Sequence, residues 1–160
     1  MSLASVQAFF AARGLDLPIL ETEASTETVA LAAQAHGVEP GRIAKTLAFR
    51  LADERVILLV ARGDARIDNR LFKEAFGRGR MLAPEEVARI TGHPVGGVCP
   101  FGLANPLPIW LDRSLQDFDE VMPAAGSINS AVRISPQRLA EITEGSWVAV
   151  CQPLPGTPSP

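Results

Sequence analysis

Lys45 lies in the segment IAKTLAFR, where strand alternation sets it on the same side as Ile43, Leu47 and Phe49. A charge on an apolar face has two readings. Either that face is buried and the ammonium must find hydrogen-bond partners or give up its proton, or the strand is a sheet edge and the lysine stem snorkels to water. On the first reading Lys45 is a candidate catalytic residue, with Thr46 beside it.

A second stretch, GGVCPFG, runs from Gly96 to Gly102. Its paired glycines, Gly96 and Gly97, permit close approach of the main chain to a ligand, and Pro100 stiffens the second half of the loop. Such a loop offers backbone groups rather than side chains, able to hold a ribose hydroxyl or the carbonyl oxygen of an ester, although a plain long turn has the same composition. Cys99 in this loop and His93 just before it could form a thiol and imidazole pair; the competing reading is a small buried apolar cysteine. A third stretch, AAGSINSAVRIS from Ala124 to Ser135, brings Gly126, Ser127, Asn129 and Ser130 into a small-residue loop that could bind something or merely turn.

Other chemistries are not supported. Two Cys and two His without close ligand spacing make no zinc site, so no metal is expected. The acids are scattered rather than paired as in glycosidases, and neither GxGxxG after a strand nor a phosphate loop occurs, so no cofactor is expected.

Elements that position these residues are given by periodicity and punctuation. Leu3, Val6, Phe9 and Phe10 predict an opening helix stopped by Gly14, and Leu17 to Leu20 predicts a strand. Ser25 is placed to cap a second helix that carries His36 and ends at Gly37. Ile43 to Leu51 and Arg55 to Arg62 predict a hairpin at the centre of the sheet. Further helices are predicted over Asp68 to Phe76, from Pro84 to about Ile90, and from Ser135 to Ile142, with short strands over Arg80 to Leu82, Ile109 to Leu111, Glu120 to Met122, Val132 to Ile134 and Trp147 to Cys151, and a helical turn over Ser114 to Phe118. Between them Gly92 to Pro108 is a loop with four Gly and four Pro. The irregular alternation predicts an α/β fold: one domain with a mixed, largely antiparallel sheet and helices packed around it. The domain is expected over 1–152, with a Pro-rich tail over 153–160.

The 160 residues suit one core. The opening residues lack the pattern of a signal peptide, no apolar run is long enough to span a membrane, and the two cysteines make no disulfide framework, so a cytoplasmic location is expected. Net charge is −3, which gives no global attraction to nucleic acid. A local patch would have to provide it. Between Arg62 and Arg80 six positive residues stand against three negative ones, and Arg66, Arg70, Lys73, Arg78 and Arg80 are the candidates. A solvated mixed-charge surface is the competing reading.

Taken in order, the Lys45–Thr46 strand, the GGVCPFG loop and the AAGSINSAVRISP segment resemble the YbaK/ProX family of aminoacyl-tRNA deacylases, over most of the chain. The resemblance implies a domain like the editing insertion of bacterial prolyl-tRNA synthetases. It implies an enzyme that hydrolyses the ester between a wrong amino acid and the terminal adenosine of tRNA, a hydrolase of mischarged tRNA-Pro. Lys45 would contact the terminal nucleotide or ester without becoming acylated. Gly96, Gly97, Val98, Cys99, Pro100, Phe101 and Gly102 would line the pocket with Thr46, Gly126, Ser127 and Asn129. Partners would be the CCA end of the tRNA and a prolyl-tRNA synthetase, with neither membrane nor DNA; the alternative is a module that binds tRNA or a synthetase without hydrolysis. Members acting on cysteinyl-tRNA commonly carry a Tyr ahead of the second helix and an acid in the later loop. This chain has no Tyr, shows Glu21, Thr22 and Glu23 at the first place and Ala131 at the second. Alanine, serine, threonine or a small non-protein amino acid therefore stand beside cysteine as substrates.

Overall fold

Two apolar runs form the centre of the protein. Strands β2 (Ile43–Leu51) and β3 (Val56–Arg62) pair antiparallel in a hairpin, in register from Ala44 opposite Arg62 to Arg50 opposite Val56. The structure, a computed structural model, describes residues 2–153; of the expected Pro-rich tail, residues 154–160 lie outside the described residues. From Ile57 to Ala61 every β3 side chain is buried, as its unbroken apolar run requires of a strand covered on both faces.

The other elements are α1 (Ser2–Ala12), β1 (Leu20–Glu21), α2 (Val29–His36), α3 (Asn69–Phe76), β4 (Gly79–Met81), α4 (Pro84–Thr91), β5 (Ile109–Asp112), β6 (Met122–Pro123), β7 (Ser130–Ala131), α5 (Pro136–Thr143) and β8 (Ser146–Val148). The main sheet has the order β4-β2-β3-β5-β8. β4 pairs antiparallel with β2, while β5 joins β3 and β8 joins β5 in parallel. β1 and β7 make a separate antiparallel pair. The result is the α/β fold with a mixed sheet and surrounding helices that the sequence predicts.

Alternation along the hairpin divides the core. Ala44 and Val60 face α1 and α5 through Val6, Phe10 and Leu139, and Ala48 and Leu58 face α4 through Val87. Phe49, Leu51, Ile57 and Leu59 face α3 through Phe72. At about 25 cal/mol per Å² of apolar surface, these two layers supply most of the driving force for folding.

Several ends differ from the predicted ones. Leu15, Leu17 and Ile19 do alternate inward against the core, yet only Leu20 and Glu21 find a ladder partner. Thr28, not Ser25, caps α2 by accepting from the Leu31 N–H; the Ser25 hydroxyl accepts from the Glu27 N–H instead, closing a local turn. Val132 to Ile134 forms no ladder: Ile134 makes an isolated bridge to Val121 and the Val132 N–H donates to Pro123 O at 3.1 Å, while the paired residues are Ser130 and Ala131. No helix among the described residues is long and apolar enough to cross a membrane.

Candidate functional site

β2 offers its outer edge to two short strands that do not meet. β6 pairs in parallel at one end, Ile43 to Met122 and Ala44 to Pro123, and β4 pairs at the other, from Phe49 to Leu51. Between these ends a cleft of about 350 Å³ opens along Ile43 to Ala48. Its walls are the entry to α2 (Thr26 to Val29), the start of α4 with Leu82, the loop carrying Val95, Gly96 and Val98, and the β6–β7 segment with Ala124 and Ser130.

The hydrogen-bonding phase of the hairpin decides which main-chain groups reach this cleft. Leu51 N–H donates to Arg55 O at 2.8 Å, so the odd residues of β2 bond to β3 and the even ones face outward. Ala48 obeys this, its oxygen accepting from Leu82 N–H at 3.0 Å. Two residues earlier, the N–H and C=O of Thr46 are aimed at the gap.

Most of the lining is apolar, yet it carries polar groups without partners. Among the described residues the buried, unpaired side-chain atoms are Thr26 Oγ1, His36 Nε2, Thr46 Oγ1 and His93 Nδ1, and the first three belong to the cleft. Unpaired buried polar atoms are costly and concentrate where something else is bound. Burial, seconded by Arg133, lowers the His36 pKa, so the ring is neutral at pH 7.

Lys45 is half-buried and borders the cleft, although β2 is an edge strand at this point. Its ammonium donates to Ala65 O rather than reaching into bulk water. Burial is the main cause of its lowered pKa; Asp64 opposes the shift and Arg66 adds to it.

Gly96 and Val98 reach the cleft with Thr46. Gly97 does not line it: a Cβ there would lie 2.8 Å from the main chain of Ser127, and its oxygen accepts from Gly126 N–H at 3.1 Å. The close approach this glycine permits is therefore to another loop. Ser127, Asn129 and Gly126 stand behind the wall. Ser127 Oγ lies 2.6 Å from Ser130 Oγ, and Asn129 Nδ2 donates to Thr22 O at 3.0 Å, tying β1 to β7.

The rest of the glycine-rich loop turns away from the cleft. Cys99 and Phe101 are fully buried with Val6 and Phe10, Pro100 is buried, and Gly102 fits against the Ser5 main chain of α1. Apolar surface explains this, since Phe101 packs edge-on to Phe10 with centroids 5.0 Å apart. His93 Nε2 does lie 3.6 Å from Cys99 Sγ, but desolvation pushes the thiol up to about 12. No thiolate nucleophile forms there at neutral pH.

Arg66, Arg70, Lys73, Arg78 and Arg80 are all exposed, on α3, the segments flanking it and β4. Arg70 sits 3.8 Å from Glu74 and Arg80 3.6 Å from Glu86. Arg62 is not part of this surface; Asp64 and Asp117 hold it at 2.6 and 2.8 Å.

Periodicity does not mark Thr26, Glu27, His36 or Ser130 as cleft residues. Only the hydroxyl of Ser130 in a small-residue loop gives a signal. Thr26, Glu27 and His36 lie at the two ends of α2, where pairing of distant strands decides what they face.

The chain is similar to known proteins over most of its length. The uncharacterized protein YwhH of Bacillus subtilis is 47% identical over 154 residues, covering 95% of this chain and 98% of that one. A candidate Cys-tRNA(Pro)/Cys-tRNA(Cys) deacylase, EbsC of Enterococcus faecalis, is 26% identical over 132 residues, 81% of this chain and 79% of its own. The crystal structure of a candidate trans-editing enzyme for prolyl tRNA synthetase superposes with a TM-score of 0.87 at 34% identity, over 95% of this chain and 98% of that one. The model of the aminoacyl-tRNA editing domain matches residues 23–142, a span that takes in every wall of the cleft, and the chain belongs to that family.

Proposed function

We propose that the protein is a trans-editing hydrolase that cleaves the ester joining a wrong amino acid to the terminal adenosine of tRNA. The substrate in this reading is tRNA-Pro mischarged with a small amino acid, met in the cytoplasm, with a prolyl-tRNA synthetase as the source of the error. The observation that carries it is the cleft along β2, where Lys45, the outward main chain of Thr46 and unpaired polar atoms share one apolar hollow. Its volume is in the range of small-molecule sites.

Chemistry in this cleft does not need an acylated side chain. Ser130 is hydrogen-bonded to Ser127, Cys99 is protonated in the core, and among the described residues no base stands within hydrogen-bonding distance of either serine hydroxyl. Hydrolysis would use water positioned by the pocket and by the substrate's own hydroxyls, with the Thr46 N–H and the Lys45 ammonium available to the ester oxygen. A small side chain suits walls made by Val29, Leu47, Val98 and Met122. A second sieve of this kind is useful because small apolar differences give a synthetase only about 10- to 200-fold discrimination.

Incubation with a panel of mischarged tRNAs tests the proposal. Loss of one small amino acid from tRNA-Pro well above the rate with Lys45→Ala is expected. Binding of tRNA or synthetase with no deacylation of any member would replace the enzyme by a binding module.

A further inference from the structure

Of the residues that line the cleft, Glu27 is the one carboxylate and Lys45 the one ammonium. We infer that Glu27 receives the α-ammonium of the aminoacyl ester, so that a free amino group is a condition of rapid hydrolysis; this rests on the deacylase reading of the cleft.

The main chain around Glu27 is fixed on both sides. Its N–H donates to Ser25 Oγ at 3.2 Å, Thr26 N–H donates to Ile128 O, and Thr28 caps α2. The stem is fixed as well. Gly96 has φ +91°, and a Cβ on it would lie 2.7 Å from Glu27 Cγ, so the glycine makes room for the glutamate stem across the loop that forms the cleft wall. The carboxylate itself is exposed and, among the described residues, takes no hydrogen bond or ion pair. The arrangement holds an acid at the cleft and leaves its oxygens available.

Esterification consumes the carboxyl of an amino acid and leaves its amino group. That group is cationic near neutral pH, with an ordinary pKa of about 7.7–8.0. Every aminoacyl ester carries it whatever the side chain, and a largely apolar hollow penalises it unless an anion is near. Lys45 repels it, so the amino group belongs at the Glu27 wall and the ester carbonyl toward β2. An acid ahead of a helix also favours the α2 dipole, and the test must separate that role from recognition.

The experiment uses one aminoacyl-tRNA that the protein hydrolyses and its N-acetylated form, with wild type, Glu27→Gln and Glu27→Asp. Wild type should cleave the free-amine substrate about 10-fold or more faster in kcat/KM, the scale of one charge-assisted hydrogen bond. Glu27→Gln should lose that advantage mainly through KM, cleaving both substrates at the N-acetyl rate, and Glu27→Asp should recover part of it. A purely helix-stabilising Glu27 would lower Tm in Glu27→Gln and leave the ratio between substrates intact. Equal cleavage of the two substrates by wild type, or an unchanged ratio in Glu27→Gln, overturns the inference while the deacylase reading stands. Wild type inert toward every aminoacyl-tRNA overturns both.

Discussion

The ammonium of Lys45 donates a hydrogen bond to the main-chain oxygen of Ala65, in the turn leading from β3 toward α3. This contact keeps a half-buried cation beside the cleft without an acid bonded to it. Since burial lowers its pKa, the charged form is favoured less in the folded chain than in the unfolded one. Lys45→Met removes that penalty and one hydrogen bond together, so stability should stay within about 1–2 kcal/mol of wild type. Deacylation should fall by about 100-fold or more if the ammonium serves the ester. Urea unfolding and single-turnover hydrolysis of the same preparation check both. A large loss of stability with proportionate loss of activity would make Lys45 a structural residue.

Cys99 gives the opposite pattern. Its thiol is fully buried and pushed up to about 12, so Cys99→Ala should hydrolyse within about twofold of wild type. The same change opens a small hole in the core near Phe101 and should cost roughly 1–2 kcal/mol. A thousandfold loss of turnover at unchanged stability would return the cysteine to the chemistry.

Local pattern carries the central hairpin and misses what surrounds the site. Ile43 to Leu51 is rich in apolar residues and followed by turn residues, so its limits are readable, and period two puts Lys45 on the face of Ile43, Leu47 and Phe49 without deciding between burial and an edge position. That β4 and β6 occupy opposite ends of one β2 edge, leaving the main-chain edge of Thr46 open between them, depends on pairings between residues far apart in sequence. No periodicity encodes such a gap. Paired glycines signal close approach, but not what approaches; here Gly97 meets Ser127 and Gly96 meets Glu27. Phe101 and Cys99 group with the glycines because they share a loop, although their apolar side chains favour the core.

The exposed cations on and around α3 predict a salt-dependent interaction. Among the described residues Arg66, Lys73 and Arg78 form no ion pair, so their charges are available to phosphates. Replacing all three by Ala should raise KM for full-length aminoacyl-tRNA and lower the slope of log affinity against log salt by about one per residue, roughly three in total. Turnover of a short aminoacyl-ester mimic should not change. Binding that ignores salt, or an unaltered slope in the triple variant, would show that tRNA is held elsewhere.

One fully buried imidazole, His93, and one half-buried imidazole, His36, make stability fall as the solution is acidified. His93 Nε2 lies 2.7 Å from Phe101 O and therefore donates, leaving Nδ1 unprotonated and without a partner among the described residues. Burial lowers the His93 pKa below 6.5, with the Phe101 bond opposing, and burial and Arg133 lower that of His36. A base whose folded pKa is depressed takes up its proton more readily when unfolded, so its contribution is complete above about 6.5 and is lost as pH falls toward the folded value. Asp64 and Asp119, both held below 3.8 by their arginine partners, lose theirs only at lower pH, so the two windows separate. The urea midpoint should be level from about pH 8 to 7 and decline below about 6.5, with a shallower decline in His93→Gln. The decline is set by the cost of forcing a second proton onto a ring with no acceptor near Nδ1; a midpoint level down to about pH 5 would mean that both rings charge without penalty, and that water reaches them.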